Sequence, residues 1–129
     1  MSYTIEKHPT LPAIIATWHS DFDYASEVRA YVTEMHQMLS EQETPVYYVL
    51  DMRVWQDMTF DELIHAANMA TRSESSNFHH PMNKGNLVIT NDPAVKRSVE
   101  GLRSDVFGNA VTLIFSELED ALEHIRREL

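Results

Sequence analysis

The spacing of apolar residues predicts two strands and then a helix in the first third of the chain. Tyr3–His8 alternates polar and apolar residues, Pro9–Pro12 makes a turn, and Ala13–Trp18 is a second apolar segment. This pattern indicates a β-hairpin whose alternating strand lies at the edge of a sheet. We expect a capping box of Ser20 and Asp23 to begin the helix after this hairpin. Apolar residues then recur at the spacings of three and four that mark one face of a helix: Phe22, Ala25, Val28, Val32, Met35 and Leu39.

The middle of the chain, residues 45–63, is the segment around which the predicted fold is organised. Val46–Leu50 is an unbroken run of β-branched, aromatic and aliphatic residues that ends at Asp51. Since no polar residue alternates with the apolar ones, the run is typical of a strand covered on both faces, as in the centre of an α/β sheet. The next helix is predicted to begin at Thr59, whose hydroxyl forms a capping box with the carboxylate of Glu62.

Strands and helices continue to alternate towards the end of the chain. A helix is predicted over Phe60–Arg72, and the polar residues 73–85 after it form the longest irregular stretch. Two more apolar runs, Asn86–Thr90 and Ala110–Phe115, predict the fourth and fifth strands.

Capping residues mark the last two helices. Asp92 precedes Pro93 at a first helical position, and Gly108 ends that helix. Ser116 and Glu119 are expected to form the capping box of the final helix. The order β-β-α-β-α-β-α-β-α predicts one α/β domain of 129 residues. It has a five-stranded, mostly parallel sheet with an N-terminal hairpin, right-handed crossovers and four helices.

Charge and composition narrow the classes of function. The chain carries 20 acidic and 10 basic residues, a formal net charge of −10. Because nucleic acids and anionic membranes are bound through clustered Lys and Arg, we expect neither as a partner. The chain has no Cys, no apolar signal core near its start and no membrane-spanning run. These features favour a cytoplasmic protein without disulfides or thiolate chemistry.

A loop rich in large apolar side chains is the main candidate for a functional site. It leaves the carboxyl end of the central strand, where loops of open α/β sheets line the ligand crevice. Either its side chains fold back over the helix ends, or they form an exposed patch for a protein or the lip of a pocket for an apolar ligand. The candidate binding residues are Met52, Val54, Trp55, Met58, Thr59 and Phe60, joined by Asn91 and Asp92 after the next strand.

Seven histidines raise the question of a metal site. His79 and His80 are neighbours and His65 lies on the preceding predicted helix, but their spacing is not typical of zinc ligands and no carboxylate is in register. We therefore interpret the pair as exposed loop histidines and expect no metal and no cofactor. His36 and His124 are predicted to lie on helical surfaces without a specific role.

Catalytic groups are equally sparse, so an enzyme is not the expected class. Asp51 and Asp92 both follow predicted strands, yet Asp92 is explained as a helix cap and Asp51 as a partner for Arg53. Three glycines, none in a phosphate cradle, argue against a P-loop or a Rossmann loop. Lys96 and Arg97 oppose the dipole of their predicted helix, so they either lie along exposed surface or serve an anionic partner.

The order of elements and the length resemble the SpoIIAA-like fold. This fold is shared by STAS domains, which include anti-sigma-factor antagonists and the cytoplasmic tails of sulfate transporters, and by small stand-alone bacterial proteins. Val111–Ile125 resembles the family's end, where a last strand runs into "F-x-(S/T)-x-E-x-A-L", and the central strand ending at Asp51 is similar to the family's third strand. The resemblance implies a module that works by binding other proteins.

One segment departs from this family. Antagonists carry an Asp-Ser-Ser-Gly-like segment at the start of the second helix, where a serine is phosphorylated, whereas Asp57–Glu62 has neither serine nor glycine. Thr59 is interpreted as a cap, since the acidic residues around it would repel a phosphate. The sequence thus predicts a non-enzymatic regulatory module that binds a protein partner or a second copy through the loop around Trp55. The alternative is a carrier or sensor of a small apolar ligand held beneath that loop.

Overall fold

The computed structural model of the chain describes residues 2–53, 77, 80–93, 96–97 and 112–129. Five strands lie in these ranges: β1 (Tyr3–Lys7), β2 (Ala13–Trp18), β3 (Val46–Asp51), β4 (Asn83–Ile89) and β5 (Thr112–Phe115). They form one sheet in the order β1-β2-β3-β4-β5. β1 pairs antiparallel with β2, and each later strand pairs parallel with the one before it. This confirms the predicted edge hairpin and the mostly parallel sheet.

Two helices are described from end to end, α1 (Tyr24–Ser40) and α2 (Leu118–Arg127). The helix predicted over Phe60–Arg72 lies outside the described residues. The start predicted for the helix after β4 is confirmed, because the backbone N–H of Lys96 donates to the carbonyl oxygen of Asp92 at 3.0 Å. No helix in the described ranges has the length and apolar character needed to cross a membrane.

The two helices cover opposite faces of the sheet, and alternate residues of each strand divide between them. On β3, Tyr48 and Leu50 face α1 whereas Val49 faces α2. Because both faces are buried, β3 needs apolar residues at consecutive positions, which explains its unbroken apolar run. The α1 side includes Ile14, Ala16, Trp18, Val28, Met35, Leu39, Val46 and Val88, and the α2 side includes Leu11, Ala13, Leu87, Ile89, Ala121, Leu122 and Ile125.

The capping box predicted for α1 was wrong. The helix starts one residue after Asp23, which is the N-cap and makes no side-chain cap bond. Instead the backbone N–H of Asp23 donates to Oε2 of Glu27 at 2.7 Å, and Ser26 donates to the Asp23 carboxylate at 2.8 Å. Ser20 lies before the helix and takes no part in it. The carboxylate of Glu27 therefore accepts the backbone N–H at the N-cap, a role that the predicted capping box had given to the carboxylate of Asp23.

β4 begins at Asn83 rather than at the predicted Asn86. Its first residues are polar, so the apolar pattern misses them, yet they pair with β3 through a register shift between Val46 and Tyr47. Gly85 lies under the ring of Tyr47, where a Cβ would be 3.0 Å from two ring carbons. A residue without a side chain therefore fits this close approach.

The core on the α1 side contains several tyrosines, and Tyr3, Tyr31 and Tyr48 lie close together in it. Tyr31 and Tyr48 share a hydrogen bond between their hydroxyl groups. The ring of Tyr31 packs edge-to-face on Trp18, with ring centroids 5.3 Å apart, and on Tyr3 at 5.4 Å. Edge-to-face pairs place positive ring edges on negative ring faces and stabilise the core beyond the area they bury.

We expect alkaline pH to destabilise the protein through these phenols. Burial raises the pKa of Tyr3 to about 12, and burial also raises the pKa of Tyr31 and of Tyr48 above the ordinary value. The fold therefore favours the neutral phenol, and this stabilisation is present below about pH 10 and lost as the pH rises above it. Urea unfolding at about pH 8 and about pH 10.5 measures the loss.

The matched variant is the double substitution Tyr31→Phe with Tyr48→Phe. It removes two of the phenols whose pKa is raised, so its free energy of unfolding is expected to change less over the same pH range. An equal change in the variant and the parent protein would contradict this origin of the pH dependence.

Candidate functional site

Polar residues gather where the parallel strands end. β3 ends at Asp51, which lies opposite Thr17 of β2 and Ile89 of β4. Ile89 in turn lies opposite Phe115, the last residue of β5. We call this border of the sheet the carboxyl edge. Because the strands are parallel, the residues that follow each of them emerge at this one edge.

An ion network of three residues occupies the carboxyl edge. The guanidinium of Arg53 donates from Nε to Oδ1 of Asp51 at 3.0 Å and from Nη2 to Oδ2 at 2.9 Å. The backbone N–H of Arg53 donates to Oδ1 as well, at 3.1 Å. The other arm of the guanidinium, Nη1, donates to Oε2 of Glu117 at 2.8 Å. The Asp51–Arg53 pair predicted from the sequence is confirmed.

Burial decides how much each contact contributes. The Asp51 side chain is 7% exposed, the Arg53 side chain 31% and the Glu117 side chain 63%. A buried carboxylate needs a charged, hydrogen-bonded partner, and the two-pronged contact of an arginine satisfies both of its oxygens. Hydrogen bonds to Asp51, together with the charges of both carboxylates, raise the pKa of Arg53. The Asp51 contact is therefore the strong one, and the Glu117 contact is exposed to water and exchangeable.

The network also explains the start of α2. The N-cap residue of this helix is Glu117, and it makes no side-chain cap bond, because its carboxylate points to Arg53. The capping box predicted from Ser116 and Glu119 was therefore wrong. As a result, Arg53 at the start of the loop after β3 is hydrogen-bonded to Glu117, the N-cap residue of α2. These two residues are 64 positions apart in the chain.

The candidate binding residues divide into three groups. Met52 is 6% exposed and packs in the core on the α1 side, while its backbone N–H donates to the carbonyl oxygen of Ile89 at 2.9 Å. For Met52 the first alternative holds, since its side chain folds back into the protein. Asn91 is exposed and Asp92 is half-buried, with the Asp92 backbone N–H donating to Oγ1 of Thr90 at 3.2 Å. The others lie outside the described residues: Val54, Trp55, Met58, Thr59 and Phe60.

The carboxylate that ends β3 is engaged by a neighbouring side chain. In the described part of the chain, the Asp51 carboxylate makes its hydrogen bonds to Arg53. Both oxygens of this carboxylate are therefore occupied by donors of Arg53. His19 lies half-buried after β2 and is tied by its backbone N–H to the carbonyl oxygen of Ser2 at 2.8 Å.

A second polar cluster lies at the opposite border of the sheet, where β3 and β4 begin. Nε2 of His80 lies 3.1 Å from Oγ of Ser40, the last residue of α1, and the ring of His36 lies 4.9 Å from the His80 ring between centroids. His80 is half-buried, so its interpretation as an exposed loop histidine was wrong, and His79 lies outside the described residues. Ser40 and His80 are 40 residues apart, and no spacing rule links them.

The Ser40–His80 pair is not arranged as a nucleophile and its base. The backbone N–H of Met82 donates to Nδ1 of His80 at 3.0 Å, so the neutral ring carries its proton on Nε2. That proton is donated to Ser40, whose hydroxyl in turn donates to the carbonyl oxygen of His36 at 2.9 Å. A general base needs a free lone pair facing the hydroxyl, which this tautomer lacks.

The other histidines of the described ranges also have structural surroundings. His124 is half-buried beside the rings of Tyr47 and Phe115, with centroids 6.5 Å and 5.8 Å away, so it packs against the sheet rather than lying free on a helical surface. Nδ1 of His8 accepts the backbone N–H of Leu11 at 3.0 Å and shapes the turn between β1 and β2. No three His, Asp or Glu side chains within these ranges lie close enough together to hold a metal ion.

Comparison with known proteins adds evidence on the fold. No protein-family model and no curated protein sequence matches the chain. An anti-sigma factor antagonist from Mycobacterium paratuberculosis is 19% identical with a TM-score of 0.57, over 96% of this chain and 92% of that one. An uncharacterised protein from Shewanella loihica with a SpoIIAA-like fold is 12% identical with a TM-score of 0.57, over 95% and 91%. The chain therefore has a SpoIIAA-like α/β fold, which confirms the resemblance found in the sequence.

Proposed function

We propose that this protein is a cytoplasmic, non-enzymatic regulatory module that binds a protein partner, or a second copy of itself, at the carboxyl edge of its sheet. Trp55 is the proposed centre of contact, since it follows Arg53 by two positions in the chain. The observation that supports this most is the ion network, which joins the beginning of the Trp55 loop to the beginning of α2.

A loop whose first residues are already ordered loses less conformational entropy when it binds a partner. Ordering a mobile segment upon association costs conformational entropy, and each ordered residue adds to that cost. Because Asp51 holds Arg53 through both carboxylate oxygens, the first residues of the loop are ordered before any partner arrives. The similar fold of an anti-sigma factor antagonist supports a protein rather than a small molecule as the ligand.

The exposed groups of the edge give the proposed surface its polar rim. Asn91 and Arg97 are exposed, and Asp92 and Lys96 are half-buried beside them. Interfaces between proteins combine an apolar centre with such a rim of polar and charged groups. In this proposal the apolar centre comes from the loop around Trp55, and the rim from the chain that follows β4.

Native mass spectrometry of the full chain purified from its own host tests the proposal. We expect a protein adduct or a dimer that Trp55→Ala weakens at least tenfold, since a central aromatic residue commonly contributes about 2 kcal/mol to an interface. The matched control is Arg126→Ala, a half-exposed residue of α2 outside the proposed surface, which should leave the adduct unchanged. Folding of each variant is checked by circular dichroism.

Two outcomes contradict the proposal. One is a protein adduct or dimer that survives Trp55→Ala in a folded protein. The other is a retained small apolar molecule without any protein adduct, which would support the alternative function, a carrier or sensor with a pocket beneath the same loop.

A further inference from the structure

The described end of the connection between β3 and β4 forms hydrogen bonds to α1, within itself and to the start of β4. Asn77 is buried, with 4% exposure, and its Nδ2 donates to the carbonyl oxygen of Val32 on α1 at 3.2 Å. The backbone N–H of His80 donates to the Asn77 carbonyl oxygen at 3.4 Å, and Nδ2 of Asn83 donates to the same oxygen at 2.8 Å. The Asn77 contact places this part of the connection against the middle of α1.

His80 lies between this end of the connection and the sheet. Its ring bonds Ser40 through Nε2 and accepts the Met82 backbone N–H through Nδ1. The Met82 carbonyl oxygen accepts the backbone N–H of Val46, the first residue of β3, at 2.8 Å. The His80 ring thus links Ser40, at the end of α1, to Met82, which is hydrogen-bonded to the first residue of β3.

Protonation of His80 is incompatible with this arrangement. An imidazolium carries a hydrogen on both nitrogens, so Nδ1 would present a donor to the Met82 backbone N–H, which is itself a donor. The bond at 3.0 Å would be lost and replaced by repulsion between two positively polarised groups. The hydroxyl of Ser40 can accept from Nε2 in either state, so the Nδ1 contact is the sensitive one.

The surroundings of the His80 ring act in the same direction. Burial lowers the pKa of His80, and the positive charge of His36, which faces it from α1, lowers it further. Among the described residues of the connection, Met82 faces His80 with its uncharged backbone amide and Asn77 with its carbonyl oxygen. From β4, the ammonium of Lys84 lies 4.9 Å from the centroid of the Tyr47 ring. Within the described ranges no carboxylate is close enough to form an ion pair with His80 and stabilise its charged form.

We propose that His80 is a pH-sensitive latch: in its neutral form it fastens residues 80–82 to α1, and protonation releases them. This stabilisation is complete above the ordinary histidine pKa of about 6.5 and is lost as the pH falls below it, because the folded state favours the neutral ring. The latch lies at the end of the β3–β4 connection, whereas Arg53 lies at its beginning. It does not depend on the proposed partner, and its test needs none.

The test follows hydrogen exchange of single amides by NMR at about pH 7.5 and about pH 5.5, with rates corrected for the intrinsic effect of pH. We expect the protection of the Met82 amide to fall severalfold at the lower pH, while that of Val88 in the centre of β4 stays constant. If the Met82 amide stays equally protected while the His80 ring gains its proton, the proposal is overturned. This measurement uses the unmodified protein.

His80→Asn is the matched variant. The Oδ1 atom of asparagine accepts the backbone N–H two residues later in an Asx-turn, and it does not titrate. Met82 should therefore stay protected at both pH values in this variant. If Met82 loses the same protection in the variant as in the parent protein, His80 is not the sensor. A loss of protection at Val88 together with Met82 would indicate general unfolding and would also overturn the proposal.

Discussion

Replacement of Arg53 by alanine is expected to lower the free energy of unfolding by about 3 kcal/mol, because it leaves a buried carboxylate without its counter-ion. The Asp51 side chain is 7% exposed, and the substitution removes the two bonds that it accepts from the guanidinium. The backbone N–H of residue 53 still donates to Oδ1, which offsets part of the loss. Urea unfolding at neutral pH measures the change.

Two further variants test whether the buried charge is the cause. Asp51→Ala combined with Arg53→Ala leaves no buried charge, so the double variant should be more stable than Arg53→Ala alone. Glu117→Ala removes the exposed partner of the network and should cost less than about 1 kcal/mol. A double variant that is less stable than Arg53→Ala, or an equal cost for Arg53→Ala and Glu117→Ala, would show that burial of the Asp51 charge is not the cause.

Leu39→Ala is expected to lower the free energy of unfolding by about 3 kcal/mol, the typical cost of truncating a fully buried leucine. Leu39 is 0% exposed and belongs to the core between α1 and the sheet. Met38, its neighbour on the same helix, is half-buried and packs at the border of that core. Met38→Ala is therefore expected to cost clearly less, about 1 kcal/mol, by loss of partial burial.

The comparison of these neighbours tests the rotation of α1 about its axis. The two substitutions have similar effects on helix propensity, since leucine, methionine and alanine are all good helix formers. Denaturant unfolding of both variants under the same conditions gives the difference directly. An equal or reversed order of the two costs would mean that α1 presents another face to the sheet.

Apolar periodicity predicted the strands because the apolar positions in each strand reflect which of its faces are buried. Val46–Leu50 is apolar at every position since residues alternate between a face under α1 and a face under α2. The stripe of α1 ending at Met35 and Leu39 was predicted for the same reason, and both residues are fully buried. By contrast, β4 starts with the polar Asn83 and Lys84, which lie at the irregular start of its pairing with β3 and give no apolar signal.

The sequence predicted where Asp51 lies, but not all of the residues in the ion network around it. Parallel strands end at one edge, so the position of Asp51 follows from the order of elements alone. Its pairing with Arg53 is local and was predicted as well. Glu117 is 64 residues away from Arg53, and it arrives only because β5 lies in register with β4 and α2 begins there. Hydrogen bonds that form across the fold, like the one between Ser40 and His80, leave no pattern in a single sequence.

The antiparallel hairpin also determines how this protein should be tethered in experiments. β1 runs opposite to β2, so the chain enters at the carboxyl edge, where Oγ of Ser2 donates to Oε1 of Glu27 at 2.6 Å. α2 starts at that edge and runs away from it, bringing His124 beside Tyr47 near the start of β3. An affinity tag joined ahead of Ser2 would emerge beside the surface to be probed. Immobilisation through a tag after Leu129, which is 71% exposed, leaves that surface open.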